Sequence, residues 1–177
     1  MSTNKFLFAG FGGQGILFAG KLLAYKGLID EKEVSWLPSY GPEMRGGTAS
    51  CSIIISDTPV GSPIVSNPDI LIAMNLPSLD KYEKTVEEGG MIFYDSSLIE
   101  REVIRKDVKA FPIPATKMAD ENGTPTLANM IIMGKVLKET GTFTEESVMA
   151  ALKKVISAKR ADMLDINFNA IKLGFDF

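Results

Sequence analysis

Two periods of apolar residues alternate along the chain. Phe6, Leu7, Phe8 and Ala9 form an unbroken apolar run within Lys5 to Ala9, as expected of a strand covered on both faces. A helical stretch, Ile16 to Lys26, follows, with Ala19 and Gly20 allowing close approach to the sheet and Gly27 expected to end it. Val34 and Trp36 alternate with Ser35 and predict a short strand over Glu33 to Leu37. Thr48 to Ser56 reads as the next strand, and Ser56, Asp57, Thr58 and Pro59 as a turn. Val60 to Val65 is the expected hairpin partner of that strand, interrupted by Pro63.

Further strands are expected over Asp69 to Met74, Met91 to Tyr94 and Lys109 to Pro112. Helices are expected from Pro77 to about Glu88, from Pro114 to Asn122, and over Leu127 to Glu139. Two more are expected from Thr144 to about Ser157 and over Asn167 to Leu173. Glu100 to Lys109 reads as a solvated connection. Strands alternating with helices place the chain in the α/β class, with a mostly parallel sheet flanked by helices and an antiparallel hairpin addition. The length of 177 residues predicts a single domain over 1–177.

In such sheets ligands gather beyond the carboxyl ends of the strands. Those ends here are Gly10 to Gly15, Pro38 to Gly47, Asn75, and Asp95 to Ser97. The first is a strand, a glycine turn and a helix in succession, with Gly10, Gly12, Gly13 and Gly15 around Gln14. Glycines there permit φ > 0 and close approach of backbone, and the unpaired N–H groups of the helix start suit an anion. Pro38 to Gly47 holds two prolines, three glycines, Tyr40, Glu43 and Arg45, and cannot be regular throughout. The two loops are expected to face one crevice.

Composition narrows the chemistry. The net charge of −3 leaves no electrostatic footprint for nucleic acid. No run of apolar residues is long enough to span a membrane and no secretory pattern opens the chain, so a cytoplasmic location is expected. One cysteine, Cys51, cannot hold an iron–sulfur cluster, which needs about four thiolates. With no histidine there is no Ser–His or Cys–His pair, and the commonest metal ligand is missing.

The glycine loop admits three readings: a nicotinamide or flavin fingerprint, a tight turn with no ligand, or a contact with an anion or partner chain. A dinucleotide site calls for an acid at the end of the second strand. That strand ends in Trp36, Leu37 and Pro38, and Asp30, Glu31 and Glu33 lie at its opposite end.

The two loops taken together carry more. Gly12, Gly13, Gln14, Gly15 and Ile16, followed by Ser39, Tyr40, Gly41, Pro42, Glu43, Met44, Arg45, Gly46, Gly47 and Thr48, resemble the gamma subunit of 2-oxoacid:ferredoxin oxidoreductases. Ser56 to Pro63, Asp69 to Asn75 and Asn129 to Gly134 fit the same family, so the resemblance covers nearly the whole chain. It implies an enzyme that decarboxylates a 2-oxoacid on thiamine diphosphate, passes two electrons through iron–sulfur clusters to ferredoxin, and forms an acyl-CoA. Thiamine diphosphate, Mg and the clusters would sit on alpha, beta and delta-type partner subunits, with CoA as co-substrate. This chain would complete the assembly and help form the CoA-facing cleft, with no catalytic residue or metal ligand of its own. The resemblance favours 2-oxoglutarate, then 2-oxoisovalerate, then pyruvate. A dehydrogenase domain that binds NAD(P) and a non-catalytic binding module are the competing readings.

Within the two loops, Gly10, Gly12, Gly13, Gln14, Gly15 and Tyr40 to Thr48 are the candidate cofactor-binding residues. Arg45 offers a planar fork of donors to phosphate or carboxylate; the alternative is an ion pair with Glu43 that pins the loop. Tyr40 either stacks in the cleft or packs under the loop. Gln14 either donates to an anion or bonds the backbone at the helix start. Asn129 is expected to face a neighbouring loop, Cys51 to be a small buried residue, and Met130, Ile131 and Met133 to be core. The irregular loop and mixed sheet edge call for cover by partner chains, so an apolar patch and a homodimer are expected of the isolated protein.

Overall fold

A computed structural model describes residues 1–39 and 48–177, with the Thr48 side chain outside the description. Six strands form one sheet in the order β2-β3-β1-β4-β5-β6. They are β1 (Thr3–Phe11), β2 (Glu33–Ser39), β3 (Thr48–Ser56), β4 (Ile70–Ala73), β5 (Met91–Asp95) and β6 (Lys109–Ile113). The helices are α1 (Ile16–Ile29), α2 (Leu76–Tyr82), α3 (Ala115–Glu121), α4 (Ala128–Glu139), α5 (Glu145–Val155) and α6 (Met163–Asp176). β1, β4, β5 and β6 pair in parallel. β3 runs antiparallel to both its neighbours, β1 and β2.

Alternation along β1 divides the interior. Phe6 and Phe8 join a large core with α1, α4, α5 and α6, while Leu7 joins a smaller core on the other face with α2 and the segment after β5. Side chains such as Phe8, Ile53, Phe93 and Ile131 are almost wholly removed from water, each stabilising the fold by about 1.5–3 kcal/mol of transfer free energy. α4 and α6 approach closely because Gly134 and Gly174 meet across the crossing. A Cβ on either would overlap the facing backbone, at Ile171 and Ile131 respectively. Only hydrogen fits between two helices at that separation.

The fold class stands as expected, with four local corrections. Val60 to Val65 is not a strand. Gly61 and Pro63 deprive it of side-chain packing and a donor, and β3 finds its antiparallel partners in β1 and β2 instead. α1 does not end at Gly27, which lies in the helix against Val34 and Ile55; the turn comes at Glu31, with φ 58°. α2 stops at Tyr82 and continues only as a 3₁₀ turn over Glu83–Thr85, where the Thr85 hydroxyl donates to the Tyr82 carbonyl. α6 begins four residues before Asn167, and Asp162 at its N-cap makes no side-chain cap hydrogen bond.

The segment after β5 is also less solvated than its charge implied. Ile99 and Val103 are buried, and the Ile104 and Arg105 N–H groups both donate to Glu83 Oε1. Among the described residues, no helix is long and apolar enough to cross a membrane.

Candidate functional site

The glycine turn lies at the carboxyl end of β1, in the middle of the sheet. Gly10 and Phe11 still belong to the strand and pair with Ala49 and Thr48 of β3. The chain then turns through Gly12 and Gly13, both exposed, and Gly13 has φ 92°. Gly15 is the N-cap of α1 in the left-handed region, at φ 71° and ψ 26°. An L side chain there is strained, and its Cβ would also run into the Asn129 amide. No side chain caps α1, so its first N–H groups are left for water or a ligand.

Two side-chain amides hold this turn. Phe11 N–H donates to Gln14 Oε1 at 2.7 Å, and Gln14 Nε2 donates to the Met74 carbonyl at 2.9 Å. Gln14 therefore ties the end of β1 to the end of β4, which is its backbone-bonding role. Asn129, on α4, donates from Nδ2 to the Gly15 carbonyl at 3.1 Å and accepts from Met130 N–H, so it faces the loop as expected. Asn75 caps α2 by accepting from Ser78 N–H at 2.8 Å. Its Nδ2 and the Ser78 hydroxyl are buried without a partner.

At the end of β5 the fully buried Asp95 plays a similar part. One carboxylate oxygen accepts from Ser97 N–H and the other from both the N–H and hydroxyl of Thr116. Sequence reasoning passed over Asp95 and Thr116 as brackets because the pair is 21 residues apart. It also passed over Arg160, which with Phe18, Leu127, Asn129 and Asn167 lines a cavity of ≈ 440 Å³ beside Gly15.

Strand register decides how the second loop relates to the first. Phe11 stands opposite Thr48, and Ser39 opposite Ser50. The segment that leaves β2 and enters β3 is thus anchored one and two strands from the glycine turn, on the same edge of the sheet. Neighbouring strands lie about 4.8 Å apart, so both anchors are within about 10 Å of the last residues of β1. Tyr40, Gly41, Pro42, Glu43, Met44, Arg45, Gly46 and Gly47 themselves lie outside the described residues.

The same register argues against a dinucleotide site. A Rossmann unit sets its second strand directly beside the first. Here β3 intervenes, and β2 ends at Ser39 with no acid.

The chain belongs to the pyruvate ferredoxin/flavodoxin oxidoreductase family. That family's model matches residues 5–177. The chain is 41% identical over 171 residues to the ketoisovalerate oxidoreductase subunit VorA of Methanothermobacter marburgensis, covering 96% of this chain and 35% of that protein. It is 37% identical over 147 residues to the 2-oxoglutarate synthase subunit KorC of Methanocaldococcus jannaschii, covering 81% of this chain and 79% of that one. The chain thus spans about a third of the length of its VorA relatives.

Among solved structures, the keto/oxoacid ferredoxin oxidoreductase gamma subunit of Geobacter sulfurreducens superposes with a TM-score of 0.82 at 27% identity, over 98% of this chain and 96% of that one. The 2-oxoglutarate:ferredoxin oxidoreductase of Magnetococcus marinus, solved with 2-oxoglutarate, coenzyme A and succinyl-CoA bound, shares the fold at a TM-score of 0.88. Its identity is 22%, over 99% of this chain and 31% of that one.

The donor set does not fit an iron–sulfur cluster. Cys51 is buried under α1, its thiol donates to the Ile16 carbonyl, and burial pushes its pKa up to about 12. No group of three or more His, Cys, Asp or Glu among the described residues is placed to hold a metal ion.

Proposed function

We propose that this chain is the gamma-type subunit of a 2-oxoacid:ferredoxin oxidoreductase, completing the assembly and forming one wall of the cleft that receives CoA. The register that sets Ser39 and Thr48 at the same sheet edge as the glycine turn supports the reading. The uncapped start of α1 and the guanidinium of Arg45 both supply chemistry for phosphate. Gly10, Gly12, Gly13 and Gly15 shape this wall, Gln14 holds it, and Tyr40 to Thr48 form the facing wall. Thiamine diphosphate, Mg and the iron–sulfur clusters belong to alpha, beta and delta-type partner chains, with ferredoxin as electron acceptor, in the cytoplasm. No step of the redox chemistry is carried by residues of this chain.

The residue pattern around Arg45 favours 2-oxoglutarate as substrate. A branched-chain 2-oxoacid is the second reading, supported by the 41% identity to a ketoisovalerate enzyme subunit. Turnover of the assembled enzyme on 2-oxoglutarate, 2-oxoisovalerate and pyruvate separates them.

Arg45→Ala tests the site. Loss of a charged hydrogen bond worth about 1.5–3 kcal/mol should raise the apparent KM for CoA by about 10- to 100-fold. Unchanged assembly together with unchanged CoA dependence would sink the proposal. Calorimetry of the isolated chain with NAD(H) should show no binding.

A further inference from the structure

At the amino end of β1 the row of core positions continues past Phe6 to a polar residue. Asn4 stands on the same side one pleat earlier, opposite Ile55 of β3. The last turn of α1 lies over this row, with Gly27 against Ile55. The Asn4 side chain makes no hydrogen bond among the described residues. Between helix and sheet a cavity of ≈ 280 Å³ remains, bordered by Asn4, Phe6, Leu23, Lys26, Asp30 and Ile55. Lys32 and Asp57 border it as well.

Lys26 is the group that needs an occupant. Its side chain is almost wholly buried, and its ammonium donates only to Asp30. An ammonium carries three donors, so two are left without an acceptor among the described residues. Burying a charge with its donors unmet is costly. Asp30 accepts at Oδ2 alone, which leaves Oδ1 without a donor. Unmet donors and an unmet acceptor thus border one cavity.

The lining selects what fits. Two ammonium groups and two carboxylates cancel, so neither a lone anion nor a lone cation is favoured. A molecule that carries both signs satisfies both. Phe6, Leu23 and Ile55 offer nothing to an ordered water, which needs about two to four polar partners. That part of the cavity calls for an aliphatic group. Pockets for drug-sized ligands begin at about 300 Å³, so the occupant is a small molecule.

We propose that this cavity binds an aliphatic α-amino acid as its zwitterion. The carboxylate accepts from Lys26 and Asn4, the ammonium donates to Asp30, and the side chain covers Phe6, Leu23 and Ile55. The glycine turn is about 26 Å away along β1, so this is a second site and not part of the CoA cleft. It requires no partner subunit and does not depend on the gamma-subunit reading.

The test is an amide NMR titration of the full chain with L-leucine. The amides of Asn4, Gly27 and Thr142, all at the cavity, should shift saturably, and those of Gly12 and Gly13 should stay in place. 4-Methylpentanoate lacks the ammonium and 3-methylbutylamine lacks the carboxylate, so each should bind about 10-fold more weakly or worse. Lys26→Met and Asn4→Asp should each weaken L-leucine by about 10-fold or more. Asn4 is only half-buried, so its variant carries the test where Lys26→Met does not fold. Absence of a saturable shift up to about 10 mM L-leucine overturns the proposal. So do shifts confined to the glycine turn, equal binding of either single-charge analogue, or undiminished binding by a folded variant.

Discussion

At the carboxyl-terminal edge of the sheet the connections are glycine-rich and tied by the side chains of Gln14, Asn75, Asp95 and Asn129 to nearby backbone or, for Asp95, also to a hydroxyl. At the opposite edge, charges pair with charges. Lys26 with Asp30, Lys32 with Asp57, and Lys5 with Glu87 gather around the start of β1 and the ends of α1 and β3. The first edge keeps its helix start uncapped and its turn exposed; the second closes itself with ion pairs. The contrast separates what a binding edge must leave open from what a supporting edge can seal. Exposed ion pairs are worth little, whereas brackets to buried backbone groups are costly to remove.

Substitutions can break or sharpen that contrast. Gly15→Val at the open edge forces a β-branched residue to φ 71° and against Asn129, and should destabilise the chain by about 3 kcal/mol in urea unfolding. Gln14→Ala leaves Phe11 N–H and the Met74 carbonyl without that partner. A loss of about 1–3 kcal/mol is expected, with the unfolding slope against urea unchanged.

At the sealed edge, Asp30→Ala strips the partner from Lys26, whose side chain is only 4% exposed, and should cost about 1–2 kcal/mol. Asp57→Asn should have the smallest effect at neutral pH, and it reads out in acid. The Lys32 ammonium, with help from Ser2 N–H, holds the Asp57 carboxyl at about 2, below its usual 3.8. Its contribution is therefore full above about pH 4 and fades as pH falls toward 2. Thermal melts across that window should flatten in the variant. Sealed-edge losses as large as those at Gly15 and Gln14 would erase the distinction.

The local elements were legible where one signal decided them. Thr144 capped its helix as read, accepting from Ser147 N–H, and all six strands lie where apolar runs placed them. Val60 to Val65 misled because a strand needs a partner, and both edges of β3 are already taken by β1 and β2. Gly27 misled because a glycine can end a helix or admit a neighbour, and only the position of Val34 tells which. In the candidate site, the glycines and Gln14 were visible in sequence. Asp95 and Arg160 were not singled out as site residues, since each acts through residues brought near only by folding, whereas the cap that Asn75 gives Ser78 is local.

By itself the sequence determined the element order, the α/β class and the family, because periodicity, turn residues and paired loop motifs are properties of neighbouring positions. It also set the limit of one cysteine and no histidine, so cluster and metal chemistry cannot rest on the usual ligands here. Only the tertiary structure decided that β3 runs backwards between β1 and β2, and hence that Ser39 and Thr48 share a sheet edge with the glycine turn. Strand order depends on which faces find cover in three dimensions, and no local pattern records it.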